Sequence, residues 1–252
     1  MLSARSLTNS FVSLTEVQLM RIRFVVLVFL SGLLAVGVIR TASKVQNKEL
    51  PIKGRLQWFA KEAKNEGRQK VTIPAPITEY AGSAATISLD EASSSSTVVV
   101  AHLVEKRSYQ EDGNNVVTWN KFMIDEVFTE AKELPCPACL PPNPPAEMLP
   151  LQSGEFLIPK SGGRMTVDGV EIEQLDFRFP EFYQSHRYLL LLQLYPSGVA
   201  SIAGGPVGVF TVDKNGKALP LTESEHRLRK DFQEKYGNSL DQLRKHLKSA
   251  SW

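Results

Sequence analysis

The sequence predicts a mainly β protein with flanking helices (β+α). The expected architecture is a small antiparallel OB-like barrel, with a sandwich as the runner-up, between an N-terminal apolar helix and a C-terminal helical pair. Three observations carry this reading. Short runs rich in β-branched and aromatic residues follow one another from residue 97 to residue 219, with turn clusters and no long helix between them. Asp168-Gly169 and Asn215-Gly216 are dipeptides that close tight hairpins, because both central positions tolerate positive φ. Beyond residue 221 the apolar spacing changes to a helical one.

The N-terminal segment, residues 1–43, contains Phe24–Ile39 (FVVLVFLSGLLAVGVI), an uncharged apolar run of 16 residues. Arg21 and Arg23 precede it, and Arg40 and Lys44 follow. A basic flank before an apolar core is the layout of a signal peptide or membrane anchor. As a helix it would span roughly 24 Å, short of a hydrocarbon core of about 30 Å. Ala35-Val36-Gly37 offers cleavage after Gly37, and Met20 offers a second start that would give a conventional leader. The expectation is export, with the segment either cut or kept as one membrane helix.

The whole chain holds 29 Lys+Arg against 27 Asp+Glu, a net charge of +2. Residues 1–43 contribute Arg5, Arg21, Arg23, Arg40 and Glu16, so the body carries 25 basic and 26 acidic side chains. A balanced body lacks the basic footprint of a nucleic-acid binder, and no nucleic acid is expected as a partner.

Residues 44–95 form a helix and an extended lead-in. Ile52, Leu56, Phe59 and Ala63 make a helical stripe that Gly67 stops. Val71–Tyr80 reads as extended, and Ser88 with Glu91 has the spacing of a capping box. Ser93–Ser96 is a polar linker or helix end.

The β domain covers residues 96–221. Thr97–Lys106 reads as a buried strand, paired through the Glu111–Asn115 turn with a long partner, Val116–Phe128. Phe156–Ile158 is a further strand, and Asp168-Gly169 joins a hairpin. After that turn Val170 and Ile172 share one phase, whereas Leu175, Phe177 and Phe179 share the other; the slip predicts a β-bulge near Glu173-Gln174. Arg187–Tyr195 is a continuous apolar strand, predicted central. Val199–Ala203 and Val207–Val212 flank Gly204-Gly205-Pro206, and Asn215-Gly216 turns toward Ala218-Leu219. About seven strand candidates suit a five- or six-stranded barrel with peripheral strands.

Residues 222–252 read as two helices. Leu221, Leu228, Phe232 and Tyr236 stripe the first, with Thr222 and Glu225 as its capping box and Gly237 as its end. Asn238 or Ser239 caps the second, which carries Leu240, Leu243 and Leu247. Arg227, Arg229, Lys230, Arg244, Lys245 and Lys248 are offset by acids, the pattern of a solvated face.

Four stretches taken in order, TVVVAHLVEKRSY, TWNKFMIDEVF, FYQSHRYLLLL and GGPVGVFTVDKNGK, resemble an uncharacterised family of bacterial exported β-domains. The resemblance covers roughly residues 85–220. The glycine usual before the Arg-Tyr strand is replaced here by the run Gln184-Ser185-His186, and the Cys/Pro-rich segment resembles an insertion. The resemblance implies an OB-like domain and export, and no catalytic residue or established activity.

The residues that could carry chemistry are few. Cys136-Pro-Ala-Cys139 lies in the Cys/Pro-rich insert, residues 133–150. Cys-x-x-Cys serves thiol–disulfide exchange when a helix N-terminus activates it, but Leu140-Pro-Pro-Asn-Pro-Pro excludes a following helix. Leu140 also excludes a haem attachment, and a structural zinc would need a second ligand pair. In an exported chain the plain reading is a structural disulfide, Cys136 to Cys139, with a redox role as the alternative. No cofactor or metal is expected. His102 and His186 are next; a histidine satisfied by hydrogen bonds is the ordinary outcome without a partner motif. Trp119 and Phe122 could form a binding platform, although aromatics on strands more often pack in cores.

The expected function is a non-enzymatic binding module of the cell envelope. It would engage a protein, peptide or envelope component, and the membrane through its N-terminal segment. A pocket lined by several converging titratable groups would argue against that reading. The alternative is an extracytoplasmic thiol–disulfide protein that uses Cys136 and Cys139, and a third reading is oligonucleotide or oligosaccharide binding by an OB-like face, the former disfavoured by the charge balance.

Overall fold

A computed structural model of the chain describes residues 54–76, 88–130, 143–221 and 226–249. The apolar run Phe24–Ile39, Ile52, the end of the Val71–Tyr80 stretch, Cys136, Cys139 and the Thr222/Glu225 box lie outside these residues. Among the described residues no helix is long and apolar enough to cross a membrane.

Among the described residues the protein is mainly β, with four flanking helices and two sheets. Helix α1 (Arg55–Asn65) precedes strand β1 (Lys70–Pro74), and helix α2 (Leu89–Ser95) leads into the long strands β2 (Thr97–Glu111) and β3 (Asn115–Thr129). Strands β4 (Glu155–Ser161), β5 (Gly163–Val167), β6 (Val170–Leu175) and β7 (Arg187–Leu194) follow. Short strands β8 (Ala200–Ile202), β9 (Val209–Val212) and β10 (Ala218–Pro220) lead to helices α3 (Arg227–Tyr236) and α4 (Leu240–Ser249).

The main sheet has the order β10-β9-β7-β2-β3-β4, with β8 pairing to β7, and every pairing of named strands in it is antiparallel. One isolated parallel bridge joins Leu157 of β4 to Val199, just ahead of β8. Gly198 lies in the left-handed region at φ +78, and its carbonyl accepts from Leu157 N at 2.9 Å. The small sheet has the order β1-β6-β5, and β1 runs parallel to β6, a departure from the mostly antiparallel expectation. Ten strands are seen among the described residues where about seven were expected; β1 and β10 are short pieces that read only as an extended stretch and as the far side of a turn.

β2 and β7 explain why their sequences are apolar without alternation. Val98, Val100, Leu189 and Leu191 face one core, together with Phe210, Leu228 and Phe232. Val99, Ala101, Tyr188, Leu190 and Leu192 face the other, with Phe122, Phe156, Phe179 and Phe182. A strand covered on both faces has no solvent side, so both phases are apolar. α3 and α4 cover the first face, where the Phe210 and Phe232 rings lie 5.0 Å apart.

The Asp168-Gly169 turn is as expected, whereas at Asn215-Gly216 only Gly216 takes positive φ, +73, within a longer loop that Asp213 N closes on Lys217 O. Asp168 and Gly169 take φ +48 and +77, and Val167 pairs with Val170 across them. Asp112 and Gly113, at φ +49 and +70, turn the chain between β2 and β3 with Asn114, and Glu111 pairs with Asn115 across the three. The capping box at α2 is complete, with Ser88 Oγ accepting from Glu91 N at 3.3 Å and Glu91 Oε2 accepting from Ser88 N at 2.7 Å.

The bulge expected near Glu173-Gln174 is absent: β6 pairs without interruption to Leu175. Gln174 continues the interior phase of Val170 and Ile172 because its amide is used, its Oε1 accepting from Val116 N at 2.6 Å. Phe177 and Phe179 lie beyond the strand; Phe177 is 80% exposed, whereas Phe179 enters the core. The register shifts occur in β2 against β3, at Val98/Val99, Val100/Ala101 and Leu103/Glu105.

At the C-terminus His226 caps α3, its Nδ1 accepting from Leu228 N at 3.2 Å, and Gly237 at φ +56 ends that helix. Ser239 Oγ accepts from Gln242 N at 3.4 Å. The segment after Gly237 lies along β10: Ala218 N donates to Asn238 O at 2.8 Å, and Leu240 N donates to Gly216 O at 3.0 Å. The basic face of these helices is less solvated than expected. Arg229 is buried and donates to Pro206 O at 3.3 Å, and Arg244 forms a two-pronged bond to Glu126 at 2.7 and 2.8 Å.

Candidate functional site: a polar cleft at one end of the main sheet

The register of β2, β3 and β4 builds the site in rows. Leu103, Phe122 and Phe156 lie side by side across the three strands, and all three are buried in one core. The next row toward the β2–β3 turn is Lys106, Asn120 and Ile158, and the row after that is Ser108, Thr118 and Lys160. Side chains two apart share a face, so the apolar face of the sheet becomes polar within two rows.

Gly162 and Gly163 then carry the chain from β4 into β5 of the small sheet, with φ +86 and +140. A Cβ on Gly163 would stand 2.0 Å from Thr118 Oγ1 and 2.5 Å from Ser108 Oγ, so the crossing passes where only glycine fits. Together with Arg164, Glu181 and Phe182 these rows enclose a cleft of about 290 Å³.

Lys160 is the unusual member. It is 7% exposed, and its Nζ makes one long contact, 3.4 Å to Ser161 O. The Phe179 ring centroid is 6.0 Å away. Burial pushes its ammonium below the usual value, partly countered by the charges of Asp176 and Glu181 and reinforced by that of Lys106. The other cations of the cleft are paired. Lys106 reaches Glu181 at 3.1 Å, and Arg164 reaches Glu173 at 2.6 Å. Among the described residues Lys160 forms no ion pair with a carboxylate.

The neutral polar groups have their protons assigned by geometry. Thr118 donates to Gly162 O at 2.6 Å, so the 2.9 Å bond between the hydroxyls of Ser108 and Thr118 is donated by Ser108. Asn120 Nδ2 donates to Thr118 O and Ile158 O, both at 3.2 Å, which uses both its hydrogens. The lone pairs of Ser108 Oγ and Asn120 Oδ1 remain, so the cleft offers one buried cationic donor beside neutral acceptors. The wall holding Glu181 and Phe182 is pinned at its end by Tyr188, whose hydroxyl accepts from Tyr183 N at 2.7 Å and donates to Tyr183 O at 3.3 Å.

The residues singled out from the sequence lie elsewhere. Cys136 and Cys139 are outside the described residues. His102 sits on β2 at the surface, with Nδ1 2.7 Å from Asp125 Oδ1; Arg187 Nε holds the other oxygen of that carboxylate at 3.1 Å. His186 Nδ1 lies 3.4 Å from Ser185 Oγ, beside the Tyr183 ring. Trp119 and Phe122 are 4% and 0% exposed and belong to cores, which removes the platform reading. Among the described residues no three His, Cys, Asp or Glu side chains are grouped to hold a metal ion.

Sequence reasoning missed Lys106, Ser108, Thr118, Asn120, Lys160 and Arg164. A signal for Lys160 existed: the strand predicted at Phe156–Ile158, extended two residues, puts Lys160 in phase with Phe156 and Ile158. No protein-family model matches the chain, and neither do the curated proteins or the solved structures.

Proposed function

We propose that this chain is an exported or membrane-anchored, OB-like binding module whose ligand occupies the cleft around Lys160. The observation that carries the binding reading is the buried Lys160 ammonium, which has no carboxylate partner among the described residues. Burying a charge without a partner costs several kcal/mol, on the order of what folding can spare, and a ligand anion would offset that cost. Supporting the OB-like part is the approach of β4 to the chain just ahead of β8 through the isolated parallel Leu157–Val199 bridge, although the main sheet does not close into a barrel. Supporting export are the basic flank and the apolar run Phe24–Ile39. The structural disulfide between Cys136 and Cys139 belongs to the same proposal, since an oxidising compartment would keep it closed.

Converging titratable groups were the feature expected to count against a non-enzymatic role. Here most of them neutralise one another, and among the described residues the cleft is lined by neither a histidine nor a hydroxyl free to be activated by a base. Lys160 alone keeps a second reading in play, because a buried amine with a depressed pKa is also the nucleophile of imine chemistry. Borohydride trapping separates the two. Stable alkylation of Lys160 by pyruvate or an aldehyde under reduction would favour the enzyme; its absence, with ligand binding intact, favours the module. For export, the test is fractionation of native cells with N-terminal sequencing of the full-length product. Recovery in the cytosol with an intact Met1 would sink the export reading.

A further inference from the structure

Resting on that reading, we infer the ligand's chemical class: a single acidic sugar unit, a hydroxylated ring bearing one carboxylate, with the carboxylate on Lys160 and the hydroxyls on the neighbouring acceptors. Four features argue for it. The cleft holds one cation without a carboxylate partner, which suits a monoanion better than a phosphate carrying nearly two charges. The remaining neutral groups are acceptors, because the hydrogens of Ser108, Thr118 and Asn120 are already committed. They therefore ask the ligand for O–H donors beside its anionic oxygen. An ammonium-bearing ligand, such as a free amino acid, fits less well, since Glu181, the one carboxylate lining the cleft among the described residues, is occupied by Lys106. Finally, about 290 Å³ lies at the lower end of ligand pockets, the scale of one ring rather than a chain.

The edge of the site extends the argument. Phe182 lines the cleft and is held edge-on by Phe122 and Tyr188 at 5.0 and 5.1 Å, so its position is fixed before any ligand arrives. Tyr183, adjacent in the chain, is 52% exposed and lies under Lys106 Nζ at 5.9 Å. It is an aromatic surface at the side of the cleft, against which a sugar ring could lie.

The test is calorimetric titration of the purified full-length protein with glucuronate, glucose, acetate and glucose 1-phosphate. Glucuronate should bind at least about tenfold more tightly than glucose or acetate, because only it engages both Lys160 and the acceptors. Lys160→Met should abolish that preference while leaving the protein folded, as judged by its far-ultraviolet dichroism and melting temperature. Ser108→Ala, which leaves the cation in place, should weaken glucuronate several-fold and leave acetate unchanged. Equal affinity for acetate and glucuronate would overturn the sugar assignment. Tighter binding of glucose 1-phosphate, lost in Lys160→Met, would overturn the monoanion assignment. Both of these results leave the cleft as a binding site. Absence of binding by all four probes would overturn the inference, and borohydride trapping at Lys160 would then decide whether the binding reading falls with it.

Discussion

Replacing Gly163 with Ala tests how the two sheets are joined. The Cβ would meet Thr118 Oγ1 at 2.0 Å, and ordinary contact begins at 3.4 Å, so the deficit is 1.4 Å, the difference between those two distances. Thr118 has little room to yield. Its hydroxyl is bonded to Gly162 O at 2.6 Å, and its backbone lies between Ser108 and Lys160 in the ladder. Overpacking of this kind costs about 1–3 kcal/mol. The φ of +140 adds backbone strain of about 1–3 kcal/mol for a residue with a side chain. The sum is about 2–6 kcal/mol, a large share of the stability of an ordinary domain. Gly169→Ala is the control: at φ +77 it has the strain without the overlap, since nothing lies within 4 Å of its Cβ, and it should cost about 1 kcal/mol. Urea unfolding of the full chain and both variants, followed by tryptophan fluorescence, measures the difference. Adding Thr118→Ala to Gly163→Ala should recover part of the loss, with a coupling of at least about 1 kcal/mol in the double-mutant cycle. Equal destabilisation by Gly163→Ala and Gly169→Ala, or strict additivity with Thr118→Ala, would refute the steric account.

Three further outcomes are expected. Because burial holds the Lys160 ammonium below its unfolded value of 10.5, the unfolded chain binds that proton more tightly, and this group's contribution to stability improves as pH rises through the folded value toward 10.5. Lys160→Met should raise the melting temperature near neutrality and flatten the rise on the alkaline side; melts of both proteins across that range check this, and an unchanged slope contradicts it. Gln174→Leu leaves Val116 N without its 2.6 Å acceptor in a buried position and should cost about 1–3 kcal/mol in the same urea assay. Glu91 is held below the usual carboxylate value first by the Ser88 backbone N–H and then by the Ser88 hydroxyl, so its contribution is present above pH 4.5 and lost as pH falls through the folded value. Ser88→Ala removes the hydroxyl and should soften the acid limb of the stability curve, read by acid titration of the dichroism signal.

The strands that announced themselves did so for one of two reasons. β2 and β7 are covered on both faces, and their unbroken apolar runs say so. The β5–β6 turn is forced by positive φ at Asp168 and Gly169, which is a local property of the dipeptide. What could not be read depends on distant partners. β1 pairs in parallel with residues about a hundred positions away, and nothing in KVTIP encodes that choice. Gln174 looked like a change of phase because a glutamine at an interior position makes sense only once Val116 N is known to face it. The cleft was hidden for the same reason. Lys106, Lys160 and Arg164 are ordinary surface residues until the register aligns the first two on neighbouring rows and the Gly162-Gly163 crossing brings the third over them. The histidines and aromatics drew attention by residue type, whereas the register placed the polar rows elsewhere.

β10 is the last strand on its side of the main sheet, and such a position would ordinarily leave a row of amides and carbonyls open to another polypeptide. The stretch between α3 and α4 already occupies part of that row, through Asn238 O, Leu240 N and the Lys217–Ser239 bridge. The turn joining the C-terminal helices therefore covers part of an edge while the helices themselves complete a core. A chain shortened at Gly237 would uncover a template for recruiting its neighbours, and its most conspicuous defect would be self-assembly.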